Sequence, residues 1–128
     1  MKDGIAERHE LDERLLDYGA RIIKLVEALP LTLVGRRIGD QLLRSGTAVG
    51  ANYEEARGAE SKNDFVHKLQ IALKELRESH YWLRLLVKSE IFALDRLQEL
   101  IDESAQLRAI SSKAVATTKG TAKTEDKT

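Results

Sequence analysis

Apolar residues recur at three- and four-residue steps in four separate stretches of the chain, and each stretch predicts an amphipathic helix. The first covers about Glu10–Leu29, with Leu11, Leu15, Tyr18, Ile22, Leu25, Val26 and Leu29 on one stripe. Pro30 ends it, because the residue before a proline disfavours helical dihedrals. Thr32 then suits an N-cap, its hydroxyl accepting from an orphan backbone N–H. The second helix covers about Leu33–Arg57, and its stripe reads Val34, Ile38, Gln41, Leu42, Ser45, Val49, Asn52 and Ala56. Gly58 predicts a left-handed C-cap for it. Ser61 and Asp64, just before Phe65, resemble a capping box for the third helix, about Lys62–Lys88.

The third helix presents Phe65, Leu69, Ala72, Leu76, Ser79, Leu83 and Leu86, and Ile71, Trp82 and Leu85 widen its apolar arc. So wide an arc covers more than one neighbour. Ser89–Phe92 read as a loop, and the fourth helix covers about Ala93–Ala114, with Leu94, Leu97, Leu100, Ile101, Ser104, Leu107 and Ile110. The tail Thr117–Thr128 has no apolar periodicity and is expected to be disordered. Every link is short, so each helix must return along its predecessor. The expected fold is all-α, an antiparallel up-down-up-down four-helix bundle over residues 1–116 with a tail over 117–128.

Composition narrows the chemistry. A chain of 128 residues is one domain, and one large enough to fold without a staple. It has no cysteine, which excludes disulfides, thiolate metal sites and cysteine nucleophiles. No apolar run approaches a membrane span, and the N-terminus lacks an apolar signal core, so a soluble cytoplasmic protein without membrane contact is expected. Lys+Arg and Asp+Glu number 21 each, without the basic excess of a dedicated nucleic-acid binder.

No catalytic motif is present. His9, His67 and His80 lack the Glu-x-x-His spacing of di-iron bundles, and His67 and His80 read as helix-surface residues. There is no nucleophile elbow and no phosphate loop, and Glu54 and Glu55 are adjacent on a helix, pointing apart. No enzyme, metal, cofactor or small-molecule substrate is expected.

Three constellations remain. Gln41, Arg44, Ser45, Asn52 and Glu55 lie on or beside the second helix's core stripe and read as a polar layer fixing helix register, with a ligand or partner contact as the alternative. Gly46 and Gly50 stand four apart beside them. They allow close packing inside the bundle, or backbone approach by another subunit, in which case Leu43, Gly46, Gly50, Tyr53, Ile71, Trp82 and Leu85 are the subunit interface. Lys74, Arg77, Tyr81, Arg84 and Lys88 share one arc of the third helix, which is either a solvated face diluted by Glu78 or a nucleic-acid contact.

The run Asn52-Tyr53-Glu54-Glu55-Ala56-Arg57-Gly58-Ala59-Glu60-Ser61-Lys62-Asn63-Asp64-Phe65, with Arg44 before it and Leu69, Ile71, Ala72, Leu76 and Glu78 after it, resembles a bacterial four-helix-bundle family. Some members of that family are encoded by intervening sequences within 23S ribosomal RNA genes. The family pattern, approximately N-[IL]-A-E-G-x-G-R-x-S-x-x-E-F, falls on Asn52, Glu55, Gly58, Ser61 and Phe65. Ala56, Ala59 and Asp64 depart from it. The resemblance implies a homopentameric ring with no established enzymatic activity. It extends to the accessory variability protein of diversity-generating retroelements, whose branch binds a reverse transcriptase and nucleic acid and is typically basic. This neutral chain is more similar to the intervening-sequence branch. The expected function is that of a non-enzymatic, self-assembling interaction protein, and the alternative is an RNA- or DNA-binding accessory factor using the third helix.

Overall fold

The computed structural model describes residues 2–126, with side chains over 10–120. Four helices account for nearly all of it, α1 (Lys2–Glu27), α2 (Leu33–Arg57), α3 (Lys62–Lys88) and α4 (Leu94–Asp126), and no strand occurs among the described residues. The bounds of α2 and α3 are those the apolar periodicity predicts. The first helix starts earlier than Glu10, because nothing between Lys2 and Glu10 stops it except a tolerated Gly4.

Each helix packs on its sequence neighbour, and α1 closes the bundle against α4. That last seam carries a two-pronged ion pair, in which the Arg14 guanidinium donates to both Glu103 carboxylate oxygens at 2.7 and 3.1 Å. At the α2–α3 end, Arg57 pairs with Asp12 of α1. The core is built from Leu15, Tyr18 and Ile22 of α1, Leu42 and Val49 of α2, Leu69, Leu76, Leu83 and Leu86 of α3, and Leu97, Leu100 and Leu107 of α4. Two stripes are rotated slightly from expectation. Val34 and Gln41 face solvent, and Val66 is buried while Phe65 is only half-buried.

The turns explain the helix ends. Thr32 caps α2 as expected, accepting from the Gly35 N–H at 3.0 Å. Gly35 sits so close to the first turn that a Cβ there would run into the Pro30 carbonyl oxygen. Ser61 caps α3 by accepting from the Asp64 N–H at 3.1 Å. Gly58, however, is not left-handed: its φ is −91°, and its N–H donates to the Glu54 and Glu55 carbonyls in an ordinary right-handed turn. The left-handed residue is Glu90, with φ 64°. There the Ile91 N–H reaches the Leu86 carbonyl at 3.0 Å and the Glu90 N–H reaches Val87 at 3.0 Å, the bond pattern of a Schellman motif.

Beyond Val115, α4 leaves the core, and none of residues 116–120 is buried. The helix thus runs past its expected end near Ala114 into the segment from Thr117 expected to be disordered, because nothing there breaks it, although it has no apolar stripe to bury. The remainder of the expected tail, 121–128, lies outside the residues whose side chains are described.

Candidate functional site

The five residues expected to form one polar layer do not join. Gln41 is exposed, and the buried Ser45 hydroxyl donates to the Gln41 carbonyl at 2.8 Å. Asn52 donates to the Ala48 carbonyl at 2.9 Å on its own helix. Glu55 accepts from Lys68 at 3.1 Å. Arg44 spans to α3, where it donates to Glu75 at 2.8 Å and to Glu78. These contacts stitch α2 to α3 or fold back on α2. A serine or asparagine inside a helix satisfies itself on a carbonyl three or four residues back, which removes its need for a cross-helix partner.

The polar layer that does cross the core is a different one. The Tyr18 hydroxyl of α1 lies 2.7 Å from Ser79 Oγ of α3, with Ser104 of α4 also within its reach. Ser79 donates onward to the Leu76 carbonyl and Ser104 to the Ile101 carbonyl. His80 Nδ1 meets Ser104 Oγ at 2.5 Å. Tyr18, Ser79 and Ser104 are fully buried. Burial pushes the Tyr18 phenol up to about 12, against the opposing effect of its bonds to Ser79 and Ser104. His80 is held below the usual histidine range, first by its own burial and then by Arg108 and Arg84. It is therefore half-buried between α3 and α4 rather than a surface residue, whereas His67 is exposed as expected. The sequence carried a signal for this layer, since Tyr18, Ser79 and Ser104 all stand on apolar stripes. Nothing local could show that they share one level.

The expected interface residues separate. Gly46 is buried against the Ile22 side chain, and Gly50 lies against the Leu15 backbone, so both serve the α1–α2 seam within one chain. Tyr53 is buried in the same seam. Ile71, Trp82 and Leu85 are half-buried along the α2 side of α3, where the Trp82 indole N–H donates to Glu78 at 3.0 Å. Leu43 remains exposed, at 39%, and is joined by Leu16 at 66% and Ile23 at 44% on α1. Leu16, Ala20, Ile23, Thr47 and Ala51 line an open groove of about 580 Å³ between α1 and α2, and Leu43 stands one turn before Thr47. Leu16 and Ile23 were missed because they lie off the main α1 stripe, seven residues apart.

All five residues of the α3 arc, Lys74, Arg77, Tyr81, Arg84 and Lys88, are exposed. Among the described residues none of the four cations forms an ion pair. Glu78, expected to dilute the arc, is turned to Arg44 and Trp82. Those bonds hold its carboxyl below the ordinary range despite the opposing effect of burial, with a smaller contribution from Lys74. Tyr81 packs edge-on against Trp82, with ring centroids 5.2 Å apart. The described residues contain no group of three or more His, Asp or Glu able to hold a metal ion, and no helix long and apolar enough to cross a membrane.

These features define an all-helical bundle whose distinctive groups lie on its outer faces and in one buried hydrogen-bonded layer. The family model described as 23S rRNA-intervening sequence protein matches residues 10–113, and the chain belongs to that family. A solved structure superimposes with a TM-score of 0.73 at 33% identity, over 82% of this chain and 97% of the other. It is a protein of unknown function from the S23 ribosomal protein family of Bacteroides thetaiotaomicron. No curated protein matches the chain. Neither description names an enzymatic activity.

Proposed function

We propose that this protein is a non-enzymatic, cytoplasmic interaction protein that works as a homo-oligomer, assembling through the outer α1–α2 face. The observation that carries this reading is the exposure of Leu16, Ile23 and Leu43 beside a groove floored by small residues. A large aliphatic side chain left in water forgoes about 1.5–3 kcal/mol of burial, and three on one face exceed what isolated surface leucines explain. In a ring the contact joins two different faces, so a helix from another face of the neighbouring subunit covers them. The resemblance to the ring-forming family sets the expected number at five.

Light scattering coupled to size exclusion tests the reading at micromolar protein. A mass near five times the 14.4 kDa chain is expected, and Ile23→Glu should reduce it to the monomer. A stable wild-type monomer overturns the proposal.

A second reading has its own support. The unpaired cations of α3 run for about 20 Å along one helix face, enough to meet several phosphates of a nucleic acid. The resemblance to the retroelement accessory branch favours it, and a ring would repeat the stripe and multiply weak contacts. Binding that is absent at ~50 mM salt, where screening is mild, removes this reading.

A further inference from the structure

We infer that the outer edge of the α3–α4 seam at His80, Arg84 and Arg108 is a binding site for a phosphate group. The site is distinct from the outer α1–α2 face and stands whether or not the α3 arc follows a strand. Ser104 fixes the level of the site by its bond to His80 Nδ1. Arg84 lies one turn beyond His80 on α3, and Arg108 one turn beyond Ser104 on α4. Because the two helices run antiparallel, these arginines bracket the imidazole from opposite sides.

Nothing in the protein answers this charge. Among the described residues neither arginine forms an ion pair, and the Arg108 Nε is buried without a hydrogen-bond partner. The positions one turn from His80 on α3 are Leu76, Arg77, Leu83 and Arg84, and those one turn from Ser104 on α4 are Leu100, Ile101, Leu107 and Arg108. No carboxylate stands among them. A buried donor without an acceptor and two cations pressed on a histidine are each unfavourable alone. An anion held between the two guanidinium groups offsets both charges. The Ser104 hydroxyl is spent on the Ile101 carbonyl, so the His80 Nδ1–H donates to Ser104, and Nε2 gains a proton to offer an anion only when the ring is protonated. From α1 the Tyr18 hydroxyl reaches this layer through Ser104, and the charges of Arg21 and Glu103 act on that phenol, with Glu103 itself held by Arg14.

The arrangement suits phosphate better than carboxylate. One guanidinium fork saturates a planar carboxylate, whereas these donors come from two helices and from both sides of an imidazole. A tetrahedral oxyanion accepts from all of them. Arg77, Lys74 and Lys88 continue the positive potential along α3 on either side, which adds attraction for a phosphate within a longer polyanion.

The test uses the full-length protein and two probes, inorganic phosphate and a mixed-sequence single-stranded RNA. Phosphate added against chloride at equal ionic strength should shift the His80 ring signals in NMR and raise the pH at which the ring titrates, because the protonated ring adds a donor to the anion. Arg84→Gln and Arg108→Gln should each weaken phosphate binding at least about tenfold, while Arg36→Gln on α2 should not. RNA binding lost in the same two variants assigns the phosphate to a strand. Phosphate binding without RNA binding keeps the site, with a free phosphate compound as ligand, and removes the nucleic-acid reading. His80 signals that ignore phosphate in the wild-type protein overturn the inference, as does phosphate binding unchanged by Arg84→Gln and Arg108→Gln. RNA binding unchanged by the two variants, with phosphate binding weakened, keeps the site for a free phosphate compound and leaves the nucleic-acid reading to other residues.

Discussion

Gly46 and Gly50 stand one helical turn apart on the same seam, yet alanine should act in opposite directions at the two. A Cβ built on Gly46 falls 2.8 Å from both Ile22 Cγ1 and Cγ2 and 3.2 Å from Ile22 Cβ. Ile22 is fully buried and β-branched, so its χ1 cannot rotate away, and the helices must separate. Overpacking of this kind costs about 1–3 kcal/mol, against a gain of about 1 kcal/mol in helix propensity. With the intruding contacts on two atoms of an immobile side chain, Gly46→Ala should be destabilised by about 1–2 kcal/mol. At Gly50 the nearest atom to a new Cβ is the Leu15 carbonyl oxygen at 3.6 Å, an ordinary contact. Gly50→Ala should therefore gain about 0.5–1 kcal/mol. Urea unfolding at fixed protomer concentration measures both, since assembly makes stability depend on concentration. Ile22→Ala should cost about 2–5 kcal/mol alone but clearly less in the Gly46→Ala background, because it removes both clashing atoms. A Gly46→Ala protein as stable as wild type, or strictly additive costs in the double variant, would refute the reasoning.

Two further outcomes follow from the turns and the buried layer. Glu90 holds a left-handed backbone that glycine adopts freely, so Glu90→Gly should raise stability by about 1 kcal/mol in denaturant unfolding, while Gly58→Ala, at φ −91°, should show no comparable loss. Tyr18 stays protonated to about 12 in the folded protein, above the ordinary phenol value of 10. A folded pKa raised above the unfolded one gives stability that is complete below pH 10 and is lost as the pH rises from 10 to 12, up to about 3 kcal/mol. Tyr18→Phe should cost about 1 kcal/mol at neutral pH and flatten this alkaline slope, and an unchanged slope in the variant would contradict the assignment.

The four helices and most of their ends were legible because their determinants are local. The bounds of α2 and α3 follow from Thr32, Ser61 and the three- and four-residue apolar steps, each acting within a turn of the chain. Gly58 shows where local rules fail. A glycine after a helix permits a left-handed cap but does not require one, and the cap appears instead at Glu90, where the return of Phe92 into the core fixes the turn. Periodicity also assigns each helix a buried side without fixing its rotation against the others. Hence Val34 and Gln41 turn outward, and Gly46 closes on Ile22 rather than on another subunit.

For the functional surfaces the division is sharper. That Lys74, Arg77, Tyr81, Arg84 and Lys88 share one face is a property of α3 alone, and the sequence determined it. Whether that face is neutralised depended on where Glu78 turned, and only packing against Arg44 decided it. Tyr18, Ser79, His80 and Ser104 are far apart in the chain and ordinary in isolation. Their meeting, and the bracketing of His80 by Arg84 and Arg108, depend on the register of three helices. That register is set by side-chain packing across the whole core, which no local pattern encodes.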